Sequence, residues 1–178
     1  MVIGSAVVLC YKDPMLTFDS PSQGFRYMTS RRQQLFHFWQ HPWADKWLFV
    51  QAYFGLGLAW MVIHTLPFRW IAVRLGECMG NSPDTISPEQ ARVARRVSWA
   101  VRRASHLTPW PSVCLPQAIT AKVLLRRHGI TSTLYLGAAF NESKALMAHA
   151  WLRCGSFYVT GGPGHEHYGV VASFAEKE

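Results

Sequence analysis

From Trp47 to Phe68 no Asp, Glu, Lys or Arg occurs, and the stretch WLFVQAYFGLGLAWMVIHTLPF reaches the length of a membrane-crossing helix. Trp47, Trp60 and Trp70, with Lys46, Arg69 and Arg74 beside them, would suit a membrane interface. Gln51, His64, Gly55 and Gly57 interrupt the apolar run, and Pro67 ends a helix before its positive flank. The pattern therefore favours a buried or membrane-surface helix over a spanning one. If the helix did span, the greater Lys/Arg content after it would place the C-terminal part in the cytoplasm.

Turn formers cluster in MGNSPDTISP, residues 79–88, and mark the best domain boundary. Ser87 then reads as an N-cap, Pro88 as the first helical position and Glu89 as a first-turn acid. Ala91, Ala94, Val97, Val101 and Ala104 recur at helical spacing and give a core-facing stripe on a helix ending near His106. After Thr108-Pro109-Trp110-Pro111, a second helix is expected from Cys114 to His128, with Leu115, Ala118, Ile119, Val123 and Leu124 inward and Gly129 as its stop. The period then changes to strands at 131–140, Met147–Arg153, Phe157–Thr160 and Gly169–Phe174. The expectation is an α+β chain in three parts: a poorly structured segment 1–44, an apolar helical region 45–80 and a compact domain 86–178. Met28 is an alternative start, and neither an internal repeat nor a low-complexity tract is present.

The formal charge of +8 is uneven: residues 86–178 hold eleven Lys/Arg against five Asp/Glu, residues 1–85 seven against five. Arg92, Arg95, Arg96, Arg102 and Arg103 account for much of the excess. They could attract nucleic acid, anionic lipid or an acidic peptide, but a solvated helix face explains them without a partner, and no nucleic-acid motif accompanies them. The four cysteines lie far apart without a CxxC pair, so neither a zinc knuckle nor a disulfide scaffold is indicated, and a reducing cytosol fits best. No secretory signal opens the chain, and no GxxxxGK[ST] loop assigns a nucleotide to it.

Cys114 falls where a proline-bounded turn becomes a helix, with Pro116 tolerated in the first turn. Amide N–H groups and the positive end of the helix dipole favour thiolate there. His149 lies in the strand MAHAWLR, whose alternation puts Met147, His149, Trp151 and Arg153 on one face. Such a pair serves as nucleophile and general base. The oxyanion would take the backbone N–H of Cys114, with the indole of Trp110 as a second donor, although Trp110 equally suits packing. His165 and His167 could join His149 around a metal, but with no third fixed ligand the loop reading is preferred. Cys154, at a hairpin turn with no base, is the weaker thiol.

The run from Val101 to Gly162 resembles the transglutaminase-like peptidase domain of lasso peptide maturation proteins, leader peptidases related to microcin-processing proteins. The resemblance is carried by the proline-preceded Cys-Leu, the LLRRHG helix end, the short strand ending in Gly137 and the AHAW strand. LGLAWMVIHTLPFRWIAVRLG echoes the apolar, Arg-punctuated N-terminal helices of that family and argues against a true span. The resemblance implies a papain-like core in which a helix carrying Cys packs on an antiparallel sheet carrying His. It also implies a cytosolic cysteine peptidase that cuts the leader from a lasso precursor. With no room for a recognition domain in residues 1–40, the split type is implied, acting with a separate leader-recognition protein and an asparagine-synthetase-like cyclase; the residues themselves assign no cofactor or metal. Membrane-surface association through residues 47–68 stays open. The family pattern places an Asp or Asn on the strand after the histidine, whereas here the strand reads FYVTGGPG, with Thr160 or Gly161 near that place. Glu166 in the GHEH loop, Asn141 in the preceding hairpin, Thr160 and a backbone carbonyl remain candidates for the third member. The same Cys–His pair permits acyl transfer, and a non-catalytic scaffold for precursor and cyclase is the rival of another class.

Overall fold

The computed structural model describes residues 43–176. The expectations for most of segment 1–44 and for Met28 lie outside the described residues.

The apolar run forms helix α1, Trp43–Thr65, and Pro67 caps a separate short helix α2, Phe68–Leu75. A proline has no N–H to continue the first helix but its φ of −58° suits the start of the second. By length and composition α1 could cross a membrane. Its Leu48, Ala52, Leu56 and Ala59 are buried in the protein.

Helix α3, Pro88–Ser105, starts as the sequence predicts, with a complete capping box: Gln90 N–H donates to Ser87 Oγ at 3.2 Å and Ser87 N–H donates to Gln90 Oε1 at 2.9 Å. Ala94, Val97, Ala100, Val101 and Ala104 are its buried stripe. Burying the two valines alone contributes about 1.5–3 kcal/mol each. Helix α4, Cys114–Arg127, packs on α1, α3 and the sheet. Its inward face differs from the expected one. Val123 is exposed, and Lys122 is fully buried instead. The ammonium is tolerated because Nζ donates to the Ser132 and Phe174 carbonyls at 2.6 and 3.2 Å and pairs with Glu176 at 2.9 Å. Burial pushes its pKa down, and Glu176 opposes that shift.

Five antiparallel strands follow the order β1-β5-β2-β3-β4, with β1 at Glu77–Cys78, β2 at Thr133–Phe140, β3 at Leu146–Cys154, β4 at Phe157–Thr160 and β5 at Gly169–Ala175. The two-residue β1 is too short to leave a periodic signal in the sequence. The other four match the sequence reading to within a residue or two, the usual ambiguity of element ends. Segment 79–88 is fastened to the sheet. Ser82 N–H and Oγ meet Thr133 Oγ1 at 2.7 and 2.8 Å, and Arg153 donates to Asp84 and to the Ser82 carbonyl. One hydrophobic core runs through all layers, from Leu48 and Leu56 of α1 through Val97 and Leu125 to Leu134, Leu152 and Phe174.

Candidate active site

The turn before α4 is held from both sides. Thr108 Oγ1 meets Ser112 Oγ at 2.7 Å and donates toward the Ser105 carbonyl at 3.1 Å, while Gln117 Nε2, from the first turn of α4, reaches back to the Ser112 carbonyl at 2.6 Å. Val113 is the extended N-cap residue, and no side chain caps the helix. Cys114 is therefore the first residue of α4, in the first turn where backbone N–H groups lack intrahelical acceptors.

Alternation in β3 sends Ala150, Leu152 and Cys154 into the core and leaves His149, Trp151 and Arg153 for the other face. His149 lies opposite Gly137 of β2. A Cβ at Gly137 would come within 2.7 Å of the Trp151 ring and 2.8 Å of Tyr168 Cβ, so the missing side chain is what lets these rings close over the strand. The His149 imidazole stacks on Trp151 at 5.8 Å between centroids and lies against Tyr168 at 5.1 Å.

The two sequence-predicted residues come together, with the side chains of Cys114 and His149 hydrogen-bonded. On the other side of the ring, Nε2 donates to the Gly161 carbonyl at 2.9 Å. A carbonyl only accepts, so Nε2 carries the hydrogen and Nδ1 is left for the sulfur. Burial opposes charging of this imidazole, yet the hydrogen bond to Cys114, the negative charge of its thiolate and the Gly161 carbonyl outweigh burial and raise the pKa above 6.5.

Gly161 occupies this position because of its backbone. Its φ of +65° is left-handed, and a Cβ there would lie 2.4 Å from the Ala150 carbonyl oxygen and 3.0 Å from Trp151 Cα. The strand leading to it is anchored by Ser98 Oγ of α3, which donates to the Val159 carbonyl at 2.6 Å.

The three side chains expected as third members lie elsewhere. Asn141 Oδ1 accepts from Ala145 N–H across the β2–β3 turn, and Glu166 pairs with His165 at 3.1 Å on the exposed turn His165–His167. Thr160 is buried, and its Oγ1 has no partner. The acceptor is instead the backbone carbonyl left open among the alternatives. No residue type encodes it, although two consecutive glycines after Thr160 permit the required turn.

Trp110 packs its ring against α1, where a Cβ on Gly57 would come within 2.8 Å of it, and stands 5.5 Å from Tyr53. Its buried Nε1 has no hydrogen-bond partner. Cys154 is wholly buried, and burial, followed by the charge of Glu176, pushes its thiol pKa up. His165 Nδ1 faces the Gly162 carbonyl. Among the described residues no cluster of three or more His, Cys, Asp or Glu could hold a metal ion.

No characterised protein and no solved structure gives a significant match to the chain. The family model of the transglutaminase-like superfamily does, over residues 62–173, a span that covers more than half of the sequence and contains both Cys114 and His149. Enzymes of this superfamily are typically cysteine-dependent and include peptidases and acyltransferases, and the chain belongs to that superfamily.

Proposed function

We propose that the chain is a cysteine peptidase that removes the leader from a lasso peptide precursor, acting with a separate leader-recognition protein ahead of the cyclase. The observation that supports peptidase chemistry is the placement of His149 between the Cys114 sulfur and the Gly161 carbonyl. The lasso substrate rests on the resemblance carried by residues 101–162.

The raised His149 pKa favours a thiolate–imidazolium pair. The thiolate attacks the scissile carbonyl carbon, a C–S bond forms, and the oxygen takes the negative charge. The Cys114 N–H, at an uncapped helix start, is the proposed donor to that oxyanion. As the C–N bond breaks, Nδ1–H of the imidazolium protonates the leaving amine and a thioester remains. Neutral Nδ1 then takes a proton from water, hydroxide adds to the thioester carbonyl, and the thiolate leaves while the leader departs as its carboxylic acid. The Gly161 carbonyl holds the ring in the tautomer that both steps need. It is neutral, so it orients the ring without the charge a carboxylate would supply.

The test combines the protein with a recognition protein and a lasso precursor and reads the products by mass spectrometry. Cys114→Ala and His149→Ala should each lower cleavage by about 10³-fold or more. Gly161→Ala, which cannot keep the same backbone, should lower kcat by about 10²-fold through misplacement of the ring. Unimpaired cleavage by either of the first two variants overturns the assignment. A product heavier than the precursor, formed with an added amine, would show acyl transfer in its place.

A further inference from the structure

Helices α1 and α2 bend at Pro67 and leave a groove of about 850 Å³ against the outer face of α4. Phe54, Leu58, Leu66 and Trp70 line it from one side, and Ile119 and Val123 from the other. Phe54 is 69% exposed, Leu58 57% and Trp70 63%. Contiguous apolar surface of this kind is rare on a soluble protein unless something covers it. Val123, which helical spacing assigns to the core, opens onto this groove because Lys122 occupies the inward position.

The groove has a sign. Arg74, Arg126 and Arg127 belong to its wall, and no Asp or Glu does. Arg126 is matched by Glu176. Arg127 meets the neutral Gln51 Oε1 at 3.2 Å, and neither it nor Arg74 has a carboxylate partner among the described residues. An occupant with apolar anchors and acidic flanks complements both features.

The shape separates a peptide from a bilayer. A membrane surface suits a convex or flat apolar face, whereas this surface is concave between helices, the form that receives an amphipathic helix. From Trp47 to Val62, α1 lines the trough over about 22 Å, enough for four turns of a second helix.

We propose that the groove between α1, α2 and α4 docks an amphipathic, acidic helix of a partner protein. Its occupant rests on the helix that begins with Cys114, so binding would hold the partner at a fixed distance from the thiol. The proposal stands on the groove alone and does not depend on the chemistry at Cys114.

The experiment measures fluorescence anisotropy of two labelled model helices of about 18 residues. Both carry the same Leu/Trp stripe, one with Glu and one with Lys on the polar face, and phosphatidylglycerol vesicles serve as the lipid probe. The Glu helix should bind about tenfold more tightly than the Lys helix, and the gap should narrow as salt is raised. Leu58→Glu and Val123→Glu replace exposed side chains and should keep the circular dichroism and Tm of the parent while losing about tenfold in affinity. Arg127→Glu should narrow or reverse the preference for the acidic helix. Equal affinity for the two helices, or undiminished binding by the folded Leu58→Glu variant, overturns the proposal. Cosedimentation with the vesicles without binding of either helix also overturns it and marks the face as a membrane contact. A cleavage assay is not involved, so failure here is separate from failure of the peptidase reading.

Discussion

His149 is held between two acceptors of different kinds, a sulfur able to carry charge and a carbonyl unable to. Burial alone would lower its pKa, so the raised value depends mainly on Cys114. In Cys114→Ala the burial remains while two of the three opposing influences disappear. The His149 pKa should therefore fall, and an NMR titration of the ring will read the change. The sign also sets a stability trend. Because the folded pKa exceeds the ordinary 6.5, the contribution of the charged ring is fully present below pH 6.5 and is lost as pH rises through the folded value. The Tm advantage of the parent over Cys114→Ala should shrink across that window, and a constant difference would contradict the pairing. Cys114 and His149 were legible in the sequence because a helix start and an alternating strand are local patterns. The carbonyl of Gly161 was not, because every residue has one and only its direction matters.

Among the elements, α4 performs two tasks, since its first turn presents Cys114 and its third places Lys122 in the core. Lys122 joins the Ser132 loop, the end of β5 and Glu176 through one ammonium. Lys122→Ala removes one side of a buried ion pair and leaves Glu176 and two carbonyls short of a donor, at a cost of about 3 kcal/mol. Denaturant titration should show that loss, and Lys122→Met, paired with Glu176→Gln, should recover part of it. Helix α3 was readable down to its Ser87 N-cap because caps, prolines and a stripe of small apolar residues act within a few positions, whereas the Gln90 half of the capping box was added by the structure. The inward face of α4 was misread at residues 122 and 123, since periodicity ranks positions by polarity and carries no information about a distant carboxylate.

At the scale of the whole molecule, α1 is not an appendage to the core described here. Leu56 is 0% exposed and belongs to the same cluster as Val97, Leu125 and Leu134. Leu56→Ala should cost about 3 kcal/mol, within the range for a buried leucine, and the loss should appear in a single thermal transition that also carries the sheet. A separate, unshifted second transition would instead place α1 outside the cooperative unit. The sequence by itself determined the α+β order of elements, the helix start at Cys114 and the strand bearing His149, because each is written in spacing, caps and turn residues close together in the chain. Tertiary structure alone decided the rest. It paired β5 with β1 and β2, aimed the Gly161 carbonyl at His149, buried Lys122 against Glu176 and opened a groove beside Val123. Each of these depends on groups far apart in the chain meeting in one geometry, and local pattern does not record such a meeting.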